Sequence, residues 1–353
     1  MSENIFDQLT FEKVQRPDLN QLEKLFASAF GDEVDIEQIR RRIHRARQFY
    51  YILYPLSRFS VWVKNHFNVY VVKIAGKVVG FIQVSYINPT QLHVDYIAFS
   101  KQYRSQGLGT WVLTKLLDEV ADANAYDVVL EVRVDNPAYK FYRRLGFKEI
   151  SQIIHYEKLL ASSCLLAETH REELTGFREL KGPDRAKLYR LYLESVPLPL
   201  RRVVKRAYDE FSPSMMVRHM EWLKNYLMRK QKRDYVVERE GKIVALLTIN
   251  SYLKAKSHVF SLILHPSHEY LRPAIISQAI SMISLNYKDG SVSTTIYSDD
   301  YSKQVALEQL GFTRNLVYYL MFRPFVIKTK ERIGALPTVA RAPVAAKPLR
   351  KQN

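Results

Sequence analysis

The chain repeats itself at long range. Tyr70-Val71-Val72, followed after three residues by Gly76-Lys77-Val78-Val79-Gly80, returns 165 residues later as Tyr235-Val236-Val237 and Gly241-Lys242-Ile243-Val244-Ala245. At the same offset Leu145-Gly146-Phe147 falls on Leu310-Gly311-Phe312. Near the start of each copy a Pro-Asp pair precedes leucines at helical spacing: Pro17-Asp18 with Leu22 and Leu25, then Pro183-Asp184 with Leu188 and Leu191. The first block of each copy reads as a β-hairpin, with apolar strands on both sides of a turn glycine. A period this long is a whole folding unit. The sequence therefore predicts two tandem copies of one α/β unit, each a mixed, mostly antiparallel sheet wrapped by helices.

In the first copy, the apolar strand Leu92–Phe99 gives way to a polar turn and then to a helical stretch, Trp111–Val120, with Val112, Leu113, Leu116, Leu117 and Val120 facing the sheet. A helix start leaves its first N–H groups unpaired and carries about half a positive charge. Gly107 and Gly109 let a large anion approach the backbone closely. Arg104-Ser105-Gln106-Gly107-Leu108-Gly109-Thr110 thus reads as a pyrophosphate cradle. It is not a Walker loop, since no Lys-Ser/Thr follows the second glycine, and it is too short for the dinucleotide pattern.

A second segment follows, about one helix and one strand later. Strand Val128–Val134 leads to Asn136, which can cap a helix, and to Pro137, which suits a first turn. Ala138, Tyr139 and Tyr142 lie on that helix, and Gly146 of Leu145-Gly146-Phe147 ends it.

The Arg-x-x-Gly-x-Gly loop and this second segment, in this order and separation, resemble the two signatures of the GCN5-related N-acetyltransferases. Within that superfamily the run Leu130-Glu131-Val132-Arg133 leading to Asn136 and Tyr139 resembles the ribosomal-protein alanine N-acetyltransferases. The resemblance covers residues 9–159 well and residues 175–325 as a decayed copy. It implies two tandem acyl-CoA N-acyltransferase folds: a catalytic domain over 1–160, a linker over 161–174, a degenerate domain over 175–326 and a basic, disordered tail over 327–353. It also implies an acetyl-CoA-dependent N-acetyltransferase that acts on a primary amine by direct attack. The alternative is a non-catalytic module that senses acyl-CoA or binds a partner; such a module needs neither Tyr142 nor Glu131.

The same resemblance assigns roles. The backbone of Ile97, Ala98 and Phe99 meets the acyl carbonyl and the pantetheine arm, and residues 104–110 hold the pyrophosphate. Asn136 hydrogen-bonds the pantetheine arm or only caps its helix. Tyr142 stands where the general acid for the departing thiolate lies. Glu131 is the candidate base, with His93 or Asp95, two apart on the preceding strand, as the alternative acting through water. Arg40, Arg41, Arg42, Arg45 and Arg47, then Tyr50, Tyr51 and Tyr54, fall near the acceptor side, where a solvated face and ordinary packing are the simpler readings.

The copies part where chemistry sits. At the 165-residue offset Arg104 falls on Glu269, Gln106 on Leu271, Gly107 on Arg272 and Gly109 on Ala274. Pro273 removes an N–H donor from the equivalent loop. Tyr142 falls on Leu307, Glu131 on Ile296 and Asn136 on Tyr301. One acetyl-CoA site per chain is expected.

Composition narrows the partners. The formal charge of +17 includes a tail with seven Lys/Arg against Glu331. Nucleic-acid or ribosome contact rests on charge alone, since no nucleic-acid-binding motif accompanies it. A strongly anionic cosubstrate accounts for part of the excess. A single cysteine, Cys164, excludes an internal disulfide and suits a reducing cytoplasm. No metal is expected, since no ligand spacing appears. The N-terminus has no signal-peptide pattern, and no run of residues is apolar enough to span a bilayer.

Overall fold

The computed structural model describes residues 5–30, 68–88, 90–121, 126–160, 174–204, 206–287 and 289–325. The arginine run 40–47, the tyrosines at 50, 51 and 54, Cys164 and the tail beyond 325 lie outside the described residues.

The N-terminal half runs β1 (Leu9–Lys13), α1 (Leu19–Phe30), the hairpin β2 (Val69–Ile74) and β3 (Lys77–Asn88), β4 (Gln91–Phe99), α2 (Leu108–Lys115), β5 (Asp127–Arg133), α3 (Ala138–Arg144) and β6 (Lys148–Leu160). The C-terminal half repeats the order with additions: β7 (Phe177–Glu179), α4 (Arg185–Ser195), α5 (Leu198–Arg201), α6 (Tyr208–Phe211), α7 (Met215–Leu227), β8 (Lys230–Arg239), β9 (Lys242–Tyr252), β10 (Ser257–Leu264), α8 (Arg272–Asn286), β11 (Gly290–Tyr297), α9 (Tyr301–Gln309) and β12 (Thr313–Arg323). α2 begins three residues before the apolar spacing predicts, because Gly107 closes the turn in the left-handed region. Its C-terminal end widens into a π turn over Leu116–Ala121.

The two sheets are continuous. Among the described residues twelve strands form one sheet in the order β1-β2-β3-β4-β5-β12-β6-β11-β10-β9-β8-β7. Only β4 with β5 and β10 with β11 are parallel. At the centre the halves exchange their last strands. β12 pairs with β5 of the first half, and β6 pairs with β11 of the second. Each half thereby completes the other, and the central strands have no free edge.

Alternation along the strands sorts the core. On β2, Tyr70 and Val72 pack toward α2, whereas Val69 and Val71 pack toward α1. On β12, Val317, Tyr319 and Met321 face the side that carries α2, α3, α8 and α9. Leu320 and Phe322 face the opposite side, where Leu200 of α5 and Val203 cover them together with Val129 and Ile153.

The Pro-Asp echo is physical. The Gln15 N–H donates to Asp18 Oδ2 (2.9 Å) and the Lys181 N–H to Asp184 Oδ2 (2.8 Å), so each aspartate caps the turn ahead of its helix. Each carboxylate also meets a strand cation, Lys73 for Asp18 (2.8 Å) and Arg178 for Asp184 (2.6 Å). Among the described residues no helix is long and apolar enough to cross a membrane.

Candidate active site

The site begins where β4 and β5 part. Their parallel ladder runs only from Gln91↔Asp127 to Val94↔Leu130. Beyond it β4 stays bound to β3, with Tyr96 to Phe99 opposite Gln83 to Gly80. β5 stays bound to β12, with Glu131 to Arg133 opposite Leu320 to Tyr318. The facing edges of residues 95–99 and 131–133 thus diverge, leaving a wedge lined by backbone N–H and C=O groups. The stretch Ile97, Ala98 and Phe99 lies on one side of that wedge.

At the open end of the wedge lies the start of α2. Ser105 (φ 62) and Gly107 (φ 83) are both left-handed, a backbone conformation found in anion-binding turns. The first bond within the helix is Trp111 N–H to Gly107 O (3.1 Å). The N–H groups of Leu108, Gly109 and Thr110 therefore have no partner within the helix and carry its positive pole. The loop is pinned behind: Arg104 Nε donates to Phe99 O (3.1 Å) and Gln106 Nε2 to Gln102 O (2.7 Å). A groove of about 530 Å³ runs from Gly107 past Thr110 and Trp111 along the outside of α2, with Phe6 on its other bank.

One glycine outside the loop shapes the wedge. A Cβ on Gly80 would lie 2.3 Å from Phe99 Cδ1, so only glycine leaves room for that ring. In the second half the paired positions are Ala245 and Leu264, a larger residue opposite a smaller one. Nothing in the spacing of apolar residues marks Gly80 as different from any strand glycine.

Tyr142, on α3, is buried against Phe141 and Phe147 with ring centroids at 5.1 and 6.0 Å. Burial pushes its hydroxyl up to about 12, so it keeps its proton throughout the neutral range. Asn136 caps α3, accepting the Ala138 N–H on Oδ1 (2.9 Å), while its side-chain NH₂ has no hydrogen-bond partner among the described residues.

His93 and Asp95, two apart on β4, do come together, beside a break in the strand register. A β-bulge at Asp95 breaks the register of β4 against β3, since Val84 faces Val94 while Gln83 faces Tyr96. Asp95 Oδ1 lies 2.8 Å from His93 Nδ1 and accepts the Ser85 hydroxyl at 2.8 Å. Glu131 stands apart from this trio. It is exposed on β5 and makes no ion pair among the described residues. Among those residues no group of three or more His, Cys, Asp or Glu is placed to hold a metal ion.

The equivalent place in the second half is filled from within. β10 and β11 also part early, after Val259↔Ser293. Arg272, however, takes the place of Gly107 and is buried, 5% exposed. Its guanidinium donates to Glu269 (2.7 and 2.5 Å) and lies 3.4 Å from Asp300. Lys303, buried beside them, has its pKa pulled down to about 8 by desolvation. The start of α8 thus already has carboxylates and a counter-cation of its own. Sequence comparison of the copies shows the loss of the glycine, and the ion pair that replaces it appears only in three dimensions.

Residues 22–147 match the model of the acetyltransferase (GNAT) family. An N-alpha-acetyltransferase of Sulfurisphaera tokodaii is 39% identical over 100 residues, which make up 25% of this chain and 60% of that protein. The chain thus spans about three fifths of the length of that relative. A GCN5-related N-acetyltransferase of Sphaerobacter thermophilus superposes with a TM-score of 0.57 at 15% identity, over 90% of this chain and 96% of that one. A tandem GNAT protein from the clavulanic acid biosynthesis pathway superposes with a TM-score of 0.53 at 14% identity, over 90% and 99% of the two chains. At such identities the likeness is one of fold, the acyl-CoA N-acyltransferase fold in tandem.

Proposed function

We propose, from the match of residues 22–147 to the acetyltransferase (GNAT) family model, that this chain is an acetyl-CoA-dependent N-acetyltransferase. Its active site lies in the N-terminal half, and its acceptor is the α-amine of a polypeptide. The observation that carries this reading is the meeting of the β4–β5 wedge with the open start of α2 in that half alone. In the C-terminal half the start of α8 is taken by Arg272, Glu269 and Asp300. The choice of an α-amine follows the kinship with an N-alpha-acetyltransferase.

On this reading the amides ahead of Trp111, with Arg104 to Thr110, hold the pyrophosphate, and Ile97 to Phe99 pair with the pantetheine arm. The amide of Asn136 reaches the same arm. The acetyl carbonyl points at the backbone N–H groups of the splayed strand, which stabilise the developing oxyanion. The neutral amine attacks, forming the C–N bond, and the C–S bond breaks as the tetrahedral intermediate collapses. Glu131 takes the proton the ammonium must lose, with His93 and Asp95, acting through water, as the other candidates. Tyr142 donates a proton to the departing sulfur, and the second proton shed by the nitrogen as the amide forms restores the Tyr142 hydroxyl through solvent. The burial that holds Tyr142 at about 12 also raises the basicity of a thiolate beside it, which keeps the transfer feasible.

The test is direct. Purified protein is incubated with acetyl-CoA and a panel of short peptides with free or blocked α-amines, and thiol release is followed. Release that requires the free α-amine supports the reading. Release only with lysine side chains or small amines redirects the acceptor, and no release with any amine overturns the enzymatic reading.

A further inference from the structure

Four adjacent strands at the centre of the sheet, two from each half, place chemistry on one face. The register aligns Arg133 of β5, Tyr318 of β12, Ile153 of β6 and Tyr297 of β11 in a single row. Paired positions share a face, and so do residues two apart on one strand. Glu131, two residues before Arg133, and His155, two after Ile153, therefore stand on the same side as Tyr318 and Tyr297. The rings of His155 and Tyr318 meet edge to face at 5.4 Å. Glu131 is felt electrostatically by both His155 and Tyr297.

The charges around this shelf are sorted. Arg133 is held by Asp135 (3.0 and 2.7 Å). Arg206, whose charge reaches Tyr297, is held by Glu210 (2.9 Å). Glu131 has no such counter-cation among the described residues. Burial keeps the His155 ring on its neutral side. The shelf therefore offers one carboxylate and three uncharged rings, a set that attracts a compact cation by charge and by its aromatic faces. It also begins at the wedge, since Glu131 is the first residue of β5 beyond the β4 ladder.

We infer that the acceptor is bound as a protonated primary amine on a shelf built jointly by the two halves, with Glu131 from the first and Tyr318 and Tyr297 from the second, beside His155. The degenerate half is then an acceptor-binding element, brought to the active site by the exchange of β6 and β12. This inference rests on the α-amine reading above.

The experiment uses the full chain, acetyl-CoA and a short peptide with a free N-terminal alanine amine, with its N-acetylated twin as control. Tyr297→Leu removes a ring from the shelf at a position remote from α2. The KM for the peptide should rise about tenfold, the size of one well-placed cation–π contact, with acetyl-CoA affinity by calorimetry unchanged. Tyr297→Phe keeps the ring and should restore KM. If Tyr297→Leu fails to fold, as acetyl-CoA affinity and melting would reveal, Tyr318→Leu is judged by the same readouts. An unchanged peptide KM in a folded variant, with wild-type turnover intact, overturns the shelf and leaves the activity standing. A wild-type protein that binds acetyl-CoA yet neither binds nor acetylates the peptide overturns the α-amine reading and the shelf with it.

Discussion

Leu320, on the last strand of the chain, stands directly opposite Glu131 in the register of β12 against β5. The candidate base of the first half is thus held in place by a strand of the second. Ending the chain before Thr313 removes β12 and leaves β5 and β6 with facing, unpaired edges. Such a protein should lose acetyl-CoA binding by calorimetry, although the deletion lies far in sequence from the Arg104–Thr110 loop. Retained affinity would show that the first half closes its own sheet.

The contact between Gly80 and Phe99 gives a second prediction. With only 2.3 Å between a Cβ and Phe99 Cδ1, Gly80→Ala must push that ring aside. The expected cost is about 1–3 kcal/mol of stability, the usual price of overpacking, with weaker acetyl-CoA binding because Phe99 O anchors Arg104. Adding Phe99→Leu, which recreates the Ala245–Leu264 pairing of the second half, should recover the melting temperature. A single variant as stable as the wild type would contradict the packing.

The loop, the helix behind it, the hairpins and the Leu-Gly-Phe turns were legible in the sequence, because each is fixed by local periodicity and by glycines where the backbone needs them. The resemblance that residues 22–147 bear to the acetyltransferase (GNAT) family was legible for the same reason. The exchange of β6 and β12 was not, since alternation reports which face a residue takes and says nothing about which strand lies beside it. The bulge at Asp95 was hidden likewise, because strict alternation already put His93 and Asp95 on one face without it. Arg272 read only as a lost glycine, since its partners Glu269 and Asp300 are brought to it by the turn before α8 and the start of α9.

Tyr142→Phe deletes one hydroxyl and keeps the ring against Phe141 and Phe147. Turnover should fall on the order of 10²–10⁴-fold, as for a lost general acid, with acetyl-CoA affinity and melting temperature nearly unchanged. Because burial holds the hydroxyl at about 12, its ionisation cannot shape the rate between pH 6 and pH 10. The variant's pH profile should therefore keep the wild-type form at a lower level. Normal turnover would remove Tyr142 from the mechanism.

Asp184 supplies a pH-dependent prediction for the scaffold. Its hydrogen bonds from Arg178, and then from the Lys181 N–H, lower its pKa from 3.8 to about 2. A folded-state pKa below the unfolded one stabilises the fold above about pH 4, and that contribution fades as pH falls toward 2. Asp184→Asn should cost about 1.5–3 kcal/mol at pH 7, as for a lost charge-assisted hydrogen bond. Denaturant melts should show the gap between variant and wild type closing as the pH is lowered. A gap that is constant with pH would mean that the carboxylate charge is not what the site uses.

The count of acetyl-CoA sites per chain tests the division of labour most directly. Titration calorimetry of the full chain with acetyl-CoA should give one site, and Gly107→Glu should abolish it. At φ 83 that position strains any L side chain, and the new carboxylate would repel a pyrophosphate held there as proposed. Two equivalent sites, or a single site that survives Gly107→Glu, would contradict the assignment of the cosubstrate to the start of α2.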